Sequence, residues 1–274
     1  MYKNSKYDDR RGHTVEPEVY PPDAKEVSSS DVLKTGIPGF DELFSIGGIP
    51  KGNIVIIAGG PGVGKSTFCR QICNNLASKK HPCLYVSFEE GIEKIERSMI
   101  SFGWDVEKYE KEGTFIIQKM DPLDILRIKF GSIGGGESAA EITAKIQPIT
   151  IPRGFEPEVI VVDSLTAVVA ATISKAKNYR IYLQQLFNFF EETGATTFLV
   201  TETDEIPRRY SSTGIEEFLA DGIIVLYNIQ KGSVRESALE IVKMRYTKHE
   251  KRIVAFEITD KGIVVHPDRQ VSID

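Results

Sequence analysis

The run Gly59-Gly60-Pro61-Gly62-Val63-Gly64-Lys65-Ser66 constrains this chain more than any other feature. Its spacing is GxxxxGK[ST]. Before it lies Asn53 to Ala58, whose Ile-Val-Ile-Ile core predicts a buried strand, and after it a helix is predicted from Gly64 to Ser78. Strand, glycine loop and helix in that order make a cradle of backbone N–H groups, to which the helix N-terminus adds partial positive charge. Such a cradle takes the phosphates of a nucleotide. Lys65 is expected to reach the β- and γ-phosphates, Ser66 to ligand Mg²⁺, and Thr67 to join the nucleotide-binding set in the first helical turn. ATP and Mg²⁺ are therefore the expected cofactors.

A cradle of this kind needs a parallel sheet to present it, and the rest of the chain supplies the pattern. Strands are predicted at Cys83 to Phe88, Thr114 to Gln118, Val159 to Asp163 and Thr196 to Thr201. Helices are predicted at Ile92 to Phe102 and Tyr179 to Thr193. This alternation implies an α/β fold with a mostly parallel central sheet flanked by helices. After Asp221 the pattern becomes consecutive strands, Ile223 to Tyr227, Ala238 to Arg245, Ile253 to Ile258 and Ile263 to Val265, expected to form an antiparallel C-terminal extension.

Two further sets of carboxylates fit the cradle. Val159-Ile160-Val161-Val162 delivers Asp163 to the C-terminal edge of the sheet, where ligands bind in open α/β folds. There Asp163 would hold the metal ion, through water. Glu89 and Glu90 follow another strand and emerge at the same edge. Hydrolysis needs a group that orients or deprotonates water, and adjacent residues of an extended chain point in different directions. Sequence reasoning does not choose between the two.

Composition sets the outer limits. The chain has 34 Lys plus Arg against 39 Asp plus Glu, a net charge of −5, which excludes a chain-wide basic coat for nucleic acid but not a local patch. No apolar run is long enough to span a membrane, and the polar start from Met1 to Arg11 does not resemble a secretory signal. Cys69, Cys73 and Cys83 lack CxxC spacing and read as buried small hydrophobes of a reduced, cytoplasmic protein. Residues 1–30, with Pro17, Pro21, Pro22 and Ser28 to Ser30, read as a flexible N-terminal tail. Residues 31–267 read as one folded domain and 268–274 as a C-terminal tail. The cluster Gly131, Gly134, Gly135 and Gly136 lacks a strand lead-in and a Lys-Ser/Thr ending, so residues 131–157 read as a flexible insertion rather than a second phosphate loop.

With these residues in place the chain resembles a single-domain ATPase of the KaiC family, in the RecA superfamily of P-loop NTPases. The resemblance covers about Ser30 to Pro267. It rests on Thr35-Gly36-Ile37-Pro38-Gly39-Phe40-Asp41-Glu42-Leu43, Ser87-Phe88-Glu89-Glu90, Ser101-Phe102-Gly103-Trp104-Asp105, Gly214-Ile215-Glu216-Glu217-Phe218 and Lys243-Met244-Arg245-Tyr246-Thr247-Lys248-His249, together with the phosphate loop. It implies that Glu89 and Glu90 are the catalytic pair. It also implies that Lys243 and Arg245 reach the phosphates of a neighbouring subunit's ATP, with Met244, Thr247 and His249 near that nucleotide and Ser101 near the base or ribose. Lys243, Arg245 and Thr247 alternate along a predicted strand, which puts all three on one side. A finger supplied in trans requires a head-to-tail interface, closing into a ring or running as a filament. By family analogy the homo-oligomer is a hexamer, acting as a switch on a protein partner. The autophosphorylated Ser-Thr pair of the second KaiC domain falls at Glu217 and Phe218 here, which excludes autokinase activity at those positions and leaves Ser211, Ser212 and Thr213 as open candidates for phosphorylation. Two other readings remain. One is a DNA-binding accessory of recombination, with Arg208-Arg209-Tyr210 as phosphate and base contacts. The other is a non-catalytic ATP-binding scaffold.

Overall fold

The computed structural model describes residues 29–122, 149–173 and 179–272. The tail reading for residues 1–28 and the glycine cluster at 131–136 lie outside these. Chain order begins with a short antiparallel pair, β1 (Val32–Leu33) and β2 (Ile49–Pro50). Next come β3 (Ile54–Gly59), α1 (Lys65–Ala77), β4 (Cys83–Ser87), α2 (Ile92–Ser101), α3 (Val106–Lys111) and β5 (Phe115–Lys119). Then follow β6 (Val159–Asp163), α4 (Leu165–Ile173), α5 (Tyr179–Thr193), β7 (Thr196–Glu202) and the one-turn α6 (Glu216–Leu219). The chain finishes with β8 (Gly222–Lys231), β9 (Val234–Met244), β10 (Val254–Thr259) and β11 (Gly262–Gln270).

Nine of these strands form one sheet in the order β11-β10-β9-β8-β3-β7-β6-β4-β5. The strand that leads into the glycine loop is central, paired in parallel with β7 on one side and β8 on the other. This corrects one expectation. The first of the four late strands belongs to the parallel set, and only β9, β10 and β11 are antiparallel. The chain after α6 returns to the N-terminal edge before entering β8, where Asp221 N–H donates to Ile54 O at 2.8 Å and Asp221 Oδ2 accepts from Ile54 N–H at 3.0 Å. Strand β11 runs to Gln270 and Val271 is buried, so the ordered fold extends past Pro267.

Alternate residues of β3 serve two cores. Val55 and Ile57 face one that holds α1, α2 and α3, with Phe68, Ile72, Leu76, Ile95 and Met99 packed on Phe115 and Phe198. Ile54, Ile56 and Ala58 face the other, with Leu165, Val169, Leu183, Leu186, Phe187 and Phe190 from α4 and α5. Both faces are covered, which is why the parallel strands read as continuous apolar runs. Truncating one of the fully buried rings, such as Phe68 or Phe187, costs about 3–5 kcal/mol. Cys69, Cys73 and Cys83 are all buried thiols of the first core.

The Thr35 to Leu43 motif forms a clasp. The Asp41 carboxylate accepts from Thr35 N–H, Thr35 Oγ1 and Gly36 N–H at 2.8–3.0 Å. The loop so formed lays Pro38 against β11, where Pro38 O accepts from Val265 N–H at 2.9 Å. Gly39 sits so close to that strand that a Cβ would lie 2.1 Å from Val265 O.

Candidate nucleotide site

The glycine loop connects Gly59, at the end of β3, to the first turn of α1. Gly59, Gly62 and Gly64 take φ values of +153°, +74° and +101°, backbone that favours glycine. At Gly59 a Cβ would meet Leu226 O at 2.4 Å. Pro61 and Gly62 are exposed at the loop's crest, Val63 packs beneath it, and Ser66 and Thr67 are half-buried in the first turn of α1. Lys65 is buried, and its Nζ donates to Gly59 O at 2.9 Å and Gly60 O at 2.7 Å. Burial lowers its pKa, opposed by the negative charges of Glu202, Asp163 and Glu89.

Those three carboxylates come from three different strand ends. Asp163 closes β6 and is buried. Its Oδ2 accepts from Tyr85 Oη and lies 3.8 Å from Arg70 Nη2. Glu89 stands exposed just past β4, and its Oε1 accepts from Ser164 Oγ at 2.5 Å. Glu202 ends β7 opposite Gly59 in the register, and its N–H donates to Thr166 Oγ1 at 2.9 Å. Glu90 is held elsewhere. Its Oε1 pairs with Arg70 Nη2 at 2.7 Å, and its N–H donates to Ser87 Oγ at 3.0 Å. The structure thus separates the adjacent glutamates: Glu89 shares the field of Lys65, while Glu90 is tied to the buried arginine of α1.

The donor set suits a triphosphate with magnesium. A buried lysine, a loop of backbone N–H groups, a hydroxyl at Ser66 and a carboxylate at Asp163 are hard, oxygen-compatible partners.

The cations near residue 245 lie at the other edge of the sheet. Lys243 Nζ donates to Glu217 O at 3.1 Å and Ala220 O at 2.6 Å. Arg245 Nη1 pairs with Asp221 Oδ1 at 3.0 Å and its Nη2 donates to Phe218 O at 3.4 Å. Asn53 Nδ2 donates to Arg245 O at 3.4 Å, which fixes this residue at the start of β3. Gly59 is six residues further along that strand, about 20 Å away at 3.3 Å per residue. No side chain spans that distance, so Lys243 and Arg245 are not brought to their own chain's phosphate loop.

The expected alternation through Thr247 also needs correcting. Strand β9 ends at Met244, and Arg245 to Thr247 form a turn in which Tyr246 takes φ +70°. Arg245 N–H bonds to Asp221 O at 2.9 Å, after which the chain turns so that His249 pairs with Phe44. Thr247 is buried against Ser45, and Met244 packs in the core with its Sδ 3.5 Å from Asn53 Nδ2. His249 Nδ1 lies 2.9 Å from Glu250 O. Ser101 ends α2, with its hydroxyl on Ser98 O at 2.7 Å. Nine helical residues separate it from the glutamates, about 14 Å of rise.

Several residues of this neighbourhood are invisible to motif reasoning. Glu202, Thr166, Ser164, Arg70 and Tyr85 carry no local signature, since each matters only by what the fold sets beside it. Ile258 is another. It comes from β10, and a Cβ on Gly64 would lie 3.0 Å from its Cδ1. The signal that could have found Arg70 is weak but real: an arginine between Cys69 and Cys73, both read as buried, needs a buried partner. In the loop after β7, Arg208 and Arg209 are exposed, whereas Tyr210 is half-buried against the second core. The Ser211 hydroxyl is buried between Glu216 and Glu217, at 2.9 and 3.2 Å, where a phosphate would meet two like charges.

Known proteins share this fold. The family described as "ATPase: KaiC" matches residues 33–270. The chain belongs to the KaiC ATPase family. A UPF0273 protein of Pyrococcus furiosus is 35% identical over 238 residues, covering 86% of this chain and 94% of that protein. Circadian clock protein KaiC3 of Synechocystis is 31% identical over 251 residues, covering 91% of this chain but 48% of KaiC3, so the chain spans about half of that relative. The crystal structure of a KaiC-like protein from Pyrococcus horikoshii OT3 superposes with a TM-score of 0.67 at 36% identity, over 86% of this chain and 99% of that one. The fold is accordingly the single KaiC-type unit, and no described helix is long and apolar enough to cross a membrane.

Proposed function

We propose that this KaiC-family chain is a Mg²⁺-dependent ATPase whose active site is completed by a second copy of itself. The observation that carries the reading is the division of the chemistry between two edges of one sheet. Lys65, Asp163, Glu89 and Glu202 gather at the C-terminal edge, and Lys243 and Arg245 stand at the N-terminal edge. A head-to-tail contact joins one copy's phosphate loop to the next copy's cations, and repetition of that contact gives a ring or a filament. Family analogy favours a hexamer.

The surface supports the same contact. Phe218 (79% exposed) and Tyr246 (66% exposed) flank Arg245, and Ile206 (59% exposed) and Ile258 (45% exposed) flank the phosphate loop. Residues 243–252 hold Lys243, Arg245, Lys248, Lys251 and Arg252 against the single acid Glu250, while Glu89, Glu202, Asp204 and Glu205 crowd the opposite edge. Apolar and charged character are therefore complementary between the two faces.

In this reading Lys65 exchanges the carbonyls of Gly59 and Gly60 for the β- and γ-phosphate oxygens. Ser66 and Asp163 are the residues that hold magnesium, which supplies neutralisation of phosphate charge when bound. Glu89 orients the attacking water and takes its proton, as the γ-phosphorus gains the water oxygen and the bond to the β-phosphate oxygen breaks. The second copy's Arg245 leaves its exposed pair with Asp221, a loss of about 0–1 kcal/mol, to stabilise charge on the transferring group. ADP and inorganic phosphate are the products. Three of the relatives carry the name of circadian clock proteins, which supports reading turnover as a timing switch.

The test is steady-state Mg-ATP hydrolysis at low salt, with and without single-stranded DNA. Measurable turnover, abolished in Lys65→Ala and lowered about 10²-fold in Glu89→Gln, with no response to DNA, is expected. Turnover that survives both substitutions refutes the site. Strong stimulation by DNA replaces the switch with the recombination-accessory reading. Assembly on ATP without turnover replaces it with a scaffold.

A further inference from the structure

Beneath the phosphate site lies a buried polar chain that the hydrolysis scheme does not use. Arg70 sits in the second turn of α1 with its side chain only 5% exposed. A buried guanidinium is costly unless every face is paired. Here Nε donates to Tyr85 Oη at 3.2 Å, Nη2 pairs with Glu90 Oε1 at 2.7 Å, and the same Nη2 lies 3.8 Å from Asp163 Oδ2. The guanidinium carbon is also 5.6 Å from the Tyr85 ring centroid.

Tyr85 is fully buried in the middle of β4, and a phenol has one hydrogen to give. Arg70 has no lone pair to accept it, so the direction of the chain is fixed: Arg70 Nε–H to Tyr85 Oη, and Tyr85 Oη–H to Asp163 Oδ2. The strands are cross-tied at the same level, since Ser87 is opposite Asp163 in the register and Phe88 N–H donates to Asp163 O at 2.7 Å.

We propose that Arg70 and Tyr85 are positioning residues of the nucleotide site. Tyr85 holds Asp163 by Oδ2, so that Oδ1 is the oxygen presented to magnesium or its water. Arg70 holds Glu90 by Oε1, which withdraws Glu90 from the phosphates and leaves Glu89 as the carboxylate that meets the reacting water. The pair thus assigns different roles to two chemically identical neighbours. The inference rests on the ATPase reading, and its test separates the two.

The experiment compares the parent with Tyr85→Phe, Glu90→Gln and Glu90→Ala. Melting temperatures come first, to confirm that each variant is folded. Binding of a fluorescent, non-hydrolysable ATP analogue is then titrated with Mg²⁺, and Mn²⁺ occupancy is read by electron paramagnetic resonance. In Tyr85→Phe the metal concentration for half-saturation is expected to rise about tenfold, the usual scale for loss of an outer partner of a metal ligand. Analogue binding without metal is expected to change less than about twofold, since the phosphate loop is untouched. In turnover, kcat is expected to fall while KM for ATP holds. Glu90→Gln keeps an oxygen that can accept from Arg70, and is expected to lose several-fold less kcat than Glu90→Ala; a merely electrostatic Glu90 would make the two equal. A folded Tyr85→Phe with parental metal half-saturation overturns the assignment of Asp163 to Tyr85. Glu90→Gln as damaging as Glu89→Gln overturns the division of roles. A parent that binds no metal-nucleotide at all overturns the ATPase reading and this inference with it, an outcome recognisable before any variant is made.

Discussion

If each active site is shared between copies, two inactive variants must rescue each other. Lys65→Ala removes the phosphate lysine, and Arg245→Ala removes the trans cation. The structure puts these two side chains at opposite ends of β3, with Arg245 bonded to Asn53 and Lys65 folded over Gly59. Alone, each variant is expected to be inactive, because every interface lacks one of the two; fingers of this kind are worth about 10³–10⁵ in rate. In an equimolar co-assembly a productive interface needs its phosphate loop from the Arg245→Ala copy and its cation from the Lys65→Ala copy. Random neighbours meet that condition in about one interface in four. The mixture is therefore expected to show about a quarter of parental activity, more than 10²-fold above either variant alone. A second mixture sharpens the test. Parent with the double variant Lys65→Ala/Arg245→Ala gives about a quarter if the site is shared, but about half if each chain acts alone. The assay is Mg-ATP turnover after dissociation and reassembly, with native mass spectrometry to verify mixed oligomers. Mixed oligomers that remain inactive in the first experiment and half-active in the second refute the trans assignment.

Three further outcomes follow from individual contacts. Phe218→Asp places a charge where an apolar anchor is expected, so sedimentation velocity should show loss of nucleotide-dependent assembly by tenfold or more in concentration, about 1.4 kcal/mol or above; unchanged assembly removes Phe218 from the interface. Gly59→Ala combines a φ of +153° with a Cβ 2.4 Å from Leu226 O, so backbone strain alone costs about 1–3 kcal/mol, and both melting temperature and nucleotide affinity are expected to fall; a parental value for both contradicts the loop geometry. Glu250 is held at about 2 by Arg252 and the N–H groups of Lys251 and Arg252, well below the ordinary carboxylate range. Its folded-state pKa is depressed, so it stabilises the fold above the unfolded value of roughly 4.3, and that contribution is lost as pH falls toward 2. The stability gap between parent and Glu250→Gln, measured by urea unfolding, is expected to be full at pH 6 and to shrink below pH 4.5 or so; a gap that does not depend on pH denies the charge a role.

The phosphate loop, the strand before it and the helix after it were legible in the sequence because their information is local. Glycine spacing, a four-residue β-branched run and a helical period each act within about ten residues. Asp163 was legible for the same reason, as the polar end of an apolar run. The two-edged logic of Lys243 and Arg245 was only half legible. Their spacing suggested a strand continuing to Thr247, but β9 stops at Met244, because Tyr246 turns the chain with φ +70° and His249 then pairs with Phe44, a contact that joins residues far apart in the chain. The parallel pairing of β8 escaped the pattern too, since a late strand shows its own periodicity but not its neighbour's direction. Glu89 and Glu90 show the division most plainly. Adjacent and identical, they carry no sequence mark that separates them. Only the folded chain brings Arg70 to one and Ser164 to the other, because a buried charge selects its partner by position in space, and position in space is what tertiary packing decides.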